Sequence, residues 1–126
     1  MKAESSFCLR VVSISRMEML LNGGTGAEGR LFSATESEYC RSRKRNPAQH
    51  FAVRLAAKLA ARKLLGQGLL LEFVVGRTEL GLPTIEYVQH DHRQNGRFRV
   101  SLSHEGDRAA AFVAWVANDE VPSNTA

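Results

Sequence analysis

Residues 46–66, NPAQHFAVRLAAKLAARKLLG, decide the fold. Asn46-Pro47 is a helix entry: a capping residue followed by a proline, whose missing N–H costs nothing in a first turn. Gly66 follows Leu64 and Leu65 and ends the helix, because glycine adopts the left-handed conformation in which helices commonly stop. The segment therefore predicts one long central helix. Phe51, Leu55 and Leu59 recur every fourth residue, and the alanines at 52, 56, 57, 60 and 61 widen this apolar stripe with side chains small enough to let a sheet approach. Arg54, Lys58 and Arg62 recur at the same interval and predict a basic ridge beside the stripe, with Lys63 next to it near the helix end. Such a ridge is ordinarily a solvated surface, its aliphatic stems lying along apolar neighbours.

On the N-terminal side, Cys8 to Ile14 mixes β-branched and polar residues as a strand does, and Ser15 is placed to cap a helix starting near Arg16. Asn22, Gly23, Gly24 and Gly26 break that helix. The pattern resumes over 32–41, FSATESEYCR, where Thr35 followed three residues later by Glu38 predicts a capping box. RSRKRN then forms an exposed connection. On the C-terminal side the period changes to two: Leu71 to Thr78, a Gly81-Leu82-Pro83 turn, Thr84 to Val88, and Phe98 to Ser103. Ala109 to Ala117 is apolar on both faces, which predicts a fully buried last strand containing Trp115 as a core residue. One long helix packed on a mostly antiparallel sheet makes this an α+β fold.

The 126 residues, 44% of them apolar, suffice for one ordinary core, so a single domain over 1–126 is expected, with 118–126 as a flexible tail. No stretch is long and apolar enough to span a membrane, and MKAESSFCLR has no apolar run suited to secretion, so a cytoplasmic location with Cys8 and Cys40 reduced is expected. The net charge is +4, but its placement says more than its size. From Tyr39 through Leu71 there is no acidic residue, whereas Arg41, Arg43, Lys44, Arg45, Arg54, Lys58, Arg62 and Lys63 all fall there. The positive field of that segment suits nucleic acid, an anionic membrane, a phosphorylated small molecule or an acidic protein. The nucleic-acid class is the weaker fit, because exposed aromatics to stack bases are not interleaved with the basic residues. His90-Asp91-His92 is the only other metal-like cluster, and without a distant partner it reads as a polar loop.

Three segments, LFSATESEYCR at 31–41, VRLAAKLAARKLLG at 53–66 and VSLSH at 100–104, with the Gly81-Leu82-Pro83 turn between the last two, resemble the holo-acyl-carrier-protein synthases. Those 4′-phosphopantetheinyl transferases are small homotrimers that move the phosphopantetheine arm of coenzyme A onto a serine of an acyl carrier protein. The order and spacing of the four motifs match over nearly the whole chain.

The resemblance implies that Arg54, Lys63 and His104 contact the phosphates of coenzyme A, and planar or point cations of this kind suit a diphosphate and a 3′-phosphate. It further implies Lys58 at the ligand, Lys44 or Arg45 at the 3′-phosphate, and Gly66 with Gly81 to Pro83 as the wall near the nucleotide. Lys58 and His104 are the candidate catalytic residues. Arg16 matches the arginine heading the helix on which the family docks its acidic carrier protein. The departures lie at the metal. The family's first strand reads GxDxxxxxR, and counting back from Arg16 puts Cys8 at the glycine and Arg10 at the aspartate; the family's second acid is Leu59 here, and Ser13 stands where a further acid is common. The Mg²⁺ expected of the family therefore has neither carboxylate to hold it. Arg10 instead places a guanidinium where the metal would sit. Two outcomes are expected from this: impaired or metal-independent transfer, or a catalytically silent homologue serving as a binding or regulatory subunit.

Overall fold

The structure, a computed structural model, describes residues 6–89 and 96–118. In chain order, β1 (Phe7–Ser13) leads to α1 (Ile14–Asn22), a short α2 (Ala27–Leu31), α3 (Ala34–Ser42) and the long α4 (Pro47–Leu65). A 3-10 turn (Leu70–Glu72) then precedes β2 (Phe73–Arg77), β3 (Pro83–Tyr87), β4 (Gly96–Glu105) and β5 (Arg108–Ala117). β5 is the centre of a three-stranded antiparallel sheet between β1 and β4, while β2 and β3 form a separate antiparallel pair. The α+β class predicted from residues 46–66 is the fold observed.

The alanines explain how α4 sits. Ala56, Ala57, Ala60 and Ala61 are buried in one cluster with Ala111 and Val113 of β5, and Cys8 and Val12 of β1 pack against it. Small side chains on both surfaces let the helix lie close to the sheet, and Phe51 supplies bulk at its N-terminal end by meeting the Phe32 ring edge-on at 4.9 Å. Leu55 and Leu59, expected in the apolar stripe, are only half-buried on its flank. Gly66 closes α4 at φ 81°, as anticipated from its type. Asn46 marks the start, although its side chain makes no capping bond to the helix N–H groups and reaches Gln49 Oε1 at 3.3 Å instead.

Several local expectations are corrected. The cap of α1 is Ser13, whose Oγ accepts from Arg16 N at 3.1 Å. Ser15 is inside the helix because Asp107, from the β4–β5 turn, accepts from its N–H at 2.7 Å and from the Ser13 and Ser15 hydroxyls. The capping box of α3 is Ser33 with Glu36, not Thr35 with Glu38. β5 is not buried on both faces: Phe112 is 43% exposed, stacked with the 63% exposed Phe7 of β1, and Leu9 and Val11 lie exposed on the same outer face. Trp115 is half-buried, its ring edge-on to Phe98 at 5.0 Å. The His90-Asp91-His92 cluster and the tail beyond 118 lie outside the described residues.

The largest correction concerns the basic ridge. Arg62 and Lys63 are exposed, but Lys58 has no exposed surface and Arg54 is 3% exposed. Lys58 Nζ meets Glu36 Oε1 at 2.5 Å with both side chains fully buried, and it stands 5.2 Å from the centre of the Phe32 ring. Glu36 Oε1 also accepts from Ser33 N at 2.8 Å, and Oε2 accepts from Val75 N of β2 at 2.6 Å. Burial pulls Lys58 below the ordinary lysine value, with the Glu36 carboxylate opposing that pull. Removing one partner of such a pair strands the other charge in the interior, at a cost of about 3–5 kcal/mol. Lys58→Met is therefore expected to lose about that much stability in urea denaturation, and adding Glu36→Gln should cost less than the sum of the two single changes.

Candidate functional site

A pocket of about 190 Å³ opens between the N-terminal half of α4 and the ends of β2 and β4, lined by Gln49, His50, Val53, Arg54, Arg77, Leu102, Ser103 and His104. Arg54 and His104, which the family resemblance assigns to phosphates, are brought together here from helix and strand. Gln49 Nε2 lies 3.0 Å from His104 Nε2 and fixes the imidazole against α4. Arg54 donates to the His50 carbonyl at 3.1 Å and lies over the Tyr39 ring of α3 at 4.5 Å. Sequence reasoning missed two further guanidiniums at this place. Arg77, the last residue of β2, and Arg43, at the end of α3, stand 5.1 Å and 5.3 Å from the centre of the same Tyr39 ring.

The electrostatics of this cluster are one-sided. Among the described residues none of Arg43, Arg54 and Arg77 has a carboxylate partner; Arg41 is the arginine that pairs, with Glu28 at 2.5 Å. A guanidinium as buried as Arg54 pays for lost hydration and is ordinarily paired. Here one carbonyl and one ring face compensate it only in part. The neighbouring His50 registers the surplus of positive charge. Burial holds the His50 imidazole below its usual range, and Arg54, Arg43, Arg77 and His104 add to that depression. Burial pushes the Cys40 thiol up to about 11, so it is not a nucleophile near neutral pH. The arrangement can receive an anion with several oxygens, through planar two-pronged donors from separate elements.

The remaining predicted residues divide by position. Lys58 has no exposed surface, so its candidacy as a ligand contact or catalytic group gives way to the structural role described above. Lys44 and Arg45 are exposed on the α3–α4 connection, beside Arg43. Gly81, at φ 87° in the β2–β3 turn, accepts from Arg77 Nη1 at 2.9 Å, so that turn holds the Arg77 side chain; Pro83 opens β3 and lines a separate cleft with Arg97 and Arg99. Lys63 and Gly66 are exposed at the far end of α4. Nine residues separate Arg54 from Lys63, which is about 14 Å along a helix and about half a turn around it. One chain does not bring these two phosphate candidates into one pocket. Arg16 is exposed on α1, where Met19 and Leu20, one turn on, are exposed as well.

The family's metal does not fit these residues. Arg10 is exposed on the edge strand β1, in the α4-facing register it shares with Cys8 and Val12, and Leu59 is half-buried on α4. Neither a guanidinium nor an alkyl chain ligates Mg²⁺. Among the described residues no three His, Cys, Asp or Glu side chains come together to hold a cation.

The depressed His50 value has a consequence for stability. The folded imidazole takes its proton at lower pH than the unfolded chain does, so below about pH 6.5 the unfolded state binds more protons and stability falls as pH falls. Urea denaturation at about pH 7 and about pH 5.5 should show this loss, and His50→Gln should reduce it.

No protein-family model matches the chain. Curated relatives do. The holo-[acyl-carrier-protein] synthase of Syntrophotalea carbinolica is 36% identical over a 119-residue alignment covering 86% of this chain and 92% of the relative. That of Trichlorobacter lovleyi is 39% identical over 113 aligned residues, covering 81% and 89%. Among solved structures, the holo-[acyl-carrier-protein] synthase of Neisseria meningitidis superposes with a TM-score of 0.76 at 26% identity, covering 87% of this chain and 96% of its own. The Helicobacter pylori enzyme, solved in complex with coenzyme A, shares the fold with a TM-score of 0.75 at 22% identity, covering 86% and 98%. With relatives above 30% identity aligned along most of both chains, and the helix, turn and strand motifs standing in the expected order, the chain belongs to the holo-[acyl-carrier-protein] synthase family.

Proposed function

We propose that this chain binds coenzyme A by its phosphates at the Arg54–His104 pocket, and that it engages an acyl carrier protein without the metal its relatives' motif provides for. The observation that carries the reading is Arg54, a guanidinium 3% exposed with no carboxylate partner among the described residues. A charge so placed is stabilised when an anion arrives, and the phosphates of coenzyme A are such anions. Carrier docking falls to α1, where exposed Arg16 beside Met19 and Leu20 combines a cation with apolar contact area for an acidic partner.

Assembly belongs to the same proposal. Lys63 lies on the opposite side of α4 from Arg54 and Gly66 just past its far end, so a ligand touching both sets is best served by two copies of the chain. The outer face of the sheet, with Phe7, Leu9, Val11 and Phe112 exposed, is an apolar surface of the kind that another copy covers. A homotrimer with head-to-tail contacts satisfies both features, each copy offering its Lys63 end to a neighbour's Arg54 pocket.

Arg10 decides between transferase and silent binder. Among the described residues its side chain makes no hydrogen bond or ion pair, and its exposed guanidinium on the α4 side of β1 would supply positive charge at the position that the resemblance gives to the family's metal. Leu59 removes a carboxylate that would repel phosphates there. Against transfer stands the general base: with Lys58 locked to Glu36, His104 is the remaining candidate to accept the serine proton, and Gln49 already holds it.

Calorimetric titration of the full chain with coenzyme A in EDTA should give binding that Mg²⁺ leaves unchanged, and Arg54→Gln should weaken it about tenfold or more. No binding in either condition sinks the proposal. Incubation with coenzyme A and an acyl carrier protein, read by intact-mass spectrometry, then separates the two outcomes. A phosphopantetheine mass gain in EDTA that Arg10→Ala abolishes is metal-independent transfer; a carrier left unmodified at saturating coenzyme A is the silent binder.

A further inference from the structure

Arg77 and Tyr39 match none of the family positions that the sequence assigns to the ligand, yet Arg77 lines the pocket and Tyr39 lies against two of its arginines. Three guanidiniums from three elements surround one aromatic ring: Arg43 from the end of α3, Arg54 from α4 and Arg77 from β2, all within 5.3 Å of the Tyr39 ring centre. Like charges gathered this closely repel, and no carboxylate among the described residues relieves them. The ring offers each cation a negative face, and its rigidity fixes where they stand. Arg77 is further steadied by the Gly81 carbonyl at 2.9 Å and lines the pocket beside His104.

The buried Glu36 carboxylate accounts for the convergence. It ties together the three elements that supply the arginines, and each tie lies one repeat from an arginine or from the ring. Tyr39 is three residues after Glu36 on α3; Arg54 is four residues before Lys58 on α4; Arg77 is two residues after Val75 on β2. These spacings keep each pair on a common face of its helix or strand. The node that clamps the elements therefore also aims their charged side chains at one point.

We infer that Arg77 is a direct ligand for a phosphate group in this pocket, and that Tyr39 is the positioning residue that holds Arg43, Arg54 and Arg77 together to receive it. The inference rests on the coenzyme A reading only for the identity of the natural ligand; the anion site itself is testable with inorganic pyrophosphate. Arg77 has an alternative duty, bracing the β2–β3 turn through Gly81, which would show in stability and not in affinity.

The test is calorimetric titration of the full-length protein with inorganic pyrophosphate and, separately, with coenzyme A, together with the ligand-free Tm of each variant. Arg77→Gln should weaken pyrophosphate about tenfold or more while Arg77→Lys loses less, because the charge survives and the two-pronged geometry does not. Tyr39→Phe, which keeps the ring, should bind within about twofold of the parent. Tyr39→Leu should weaken binding as Arg77→Gln does. Arg77→Gln that lowers Tm but binds pyrophosphate as the parent does overturns the ligand role, and Tyr39→Leu with parental affinity overturns the positioning role. Pyrophosphate binding that depends on Arg77 without any coenzyme A binding upholds the anion site and removes the coenzyme A reading; a parent protein that binds neither probe overturns both.

Discussion

A carboxylate with no exposed surface has to satisfy its charge and its lone pairs inside the protein, and Glu36 does so with donors from three different elements. The Lys58 ammonium, the Val75 N–H and the Ser33 N–H all point at its two oxygens. Each donor would be costly to leave unpaired in the interior, so α3, α4 and β2 are held in one relative placement. Hydrophobic contacts around this point, such as Phe32 against Phe51, tolerate small displacements; a buried ion pair with fixed hydrogen-bond directions does not. Buried polar groups of this kind add less to net stability than to the uniqueness of the arrangement, and here the arrangement includes the site.

The Arg54–His104 pocket inherits its geometry from that constraint. Tyr39, Arg54 and Arg77 lie one helical or strand repeat away from the three ties, and His104 joins them from β4 through Gln49. The cost is visible in Arg54, which is buried with no counter-ion among the described residues. Positive charge stored in this way opposes folding and favours whatever anion relieves it, so binding and stability are linked. The second region, around Arg10, Leu59 and Lys63, differs in character. Lys63 lies half a turn away around α4 and is exposed, Arg10 is exposed on β1, and neither Arg10 nor Leu59 offers an oxygen to a metal ion.

Much of the fold was legible in residues 46–66, since proline, apolar period and terminal glycine all act within a few residues of where they are written, although Asn46 marks the helix start without a side-chain cap. The errors share a cause. Ser33-Ala34-Thr35-Glu36 and Thr35-Glu36-Ser37-Glu38 both satisfy the capping pattern, and only the presence of Lys58 and Val75 beside Glu36 selects the first. Ser13 and Ser15 both suit a helix start, and Asp107, more than ninety residues away, takes the Ser15 N–H and leaves Ser13 as the cap. The i, i+4 spacing of Arg54, Lys58 and Arg62 was real, but periodicity says which residues share a face and not what covers that face. α3 and β2 cover the first two and leave Arg62 to solvent.

The sequence by itself determined the central helix with both its ends, the α+β class and the concentration of basic residues between Tyr39 and Leu71, because these follow from local conformational preference and from composition, and its motifs carried the resemblance to the family. It also determined that Arg10 and Leu59 cannot hold Mg²⁺, since ligand chemistry is a property of residue type. Only the tertiary structure decided that Lys58 is a buried partner of Glu36, that Arg77 joins Arg54 in one pocket against the Tyr39 ring, and that Lys63 faces elsewhere. Those outcomes depend on which distant groups share a desolvated space, where unpaired charge is expensive and direction matters, and no local pattern carries that information.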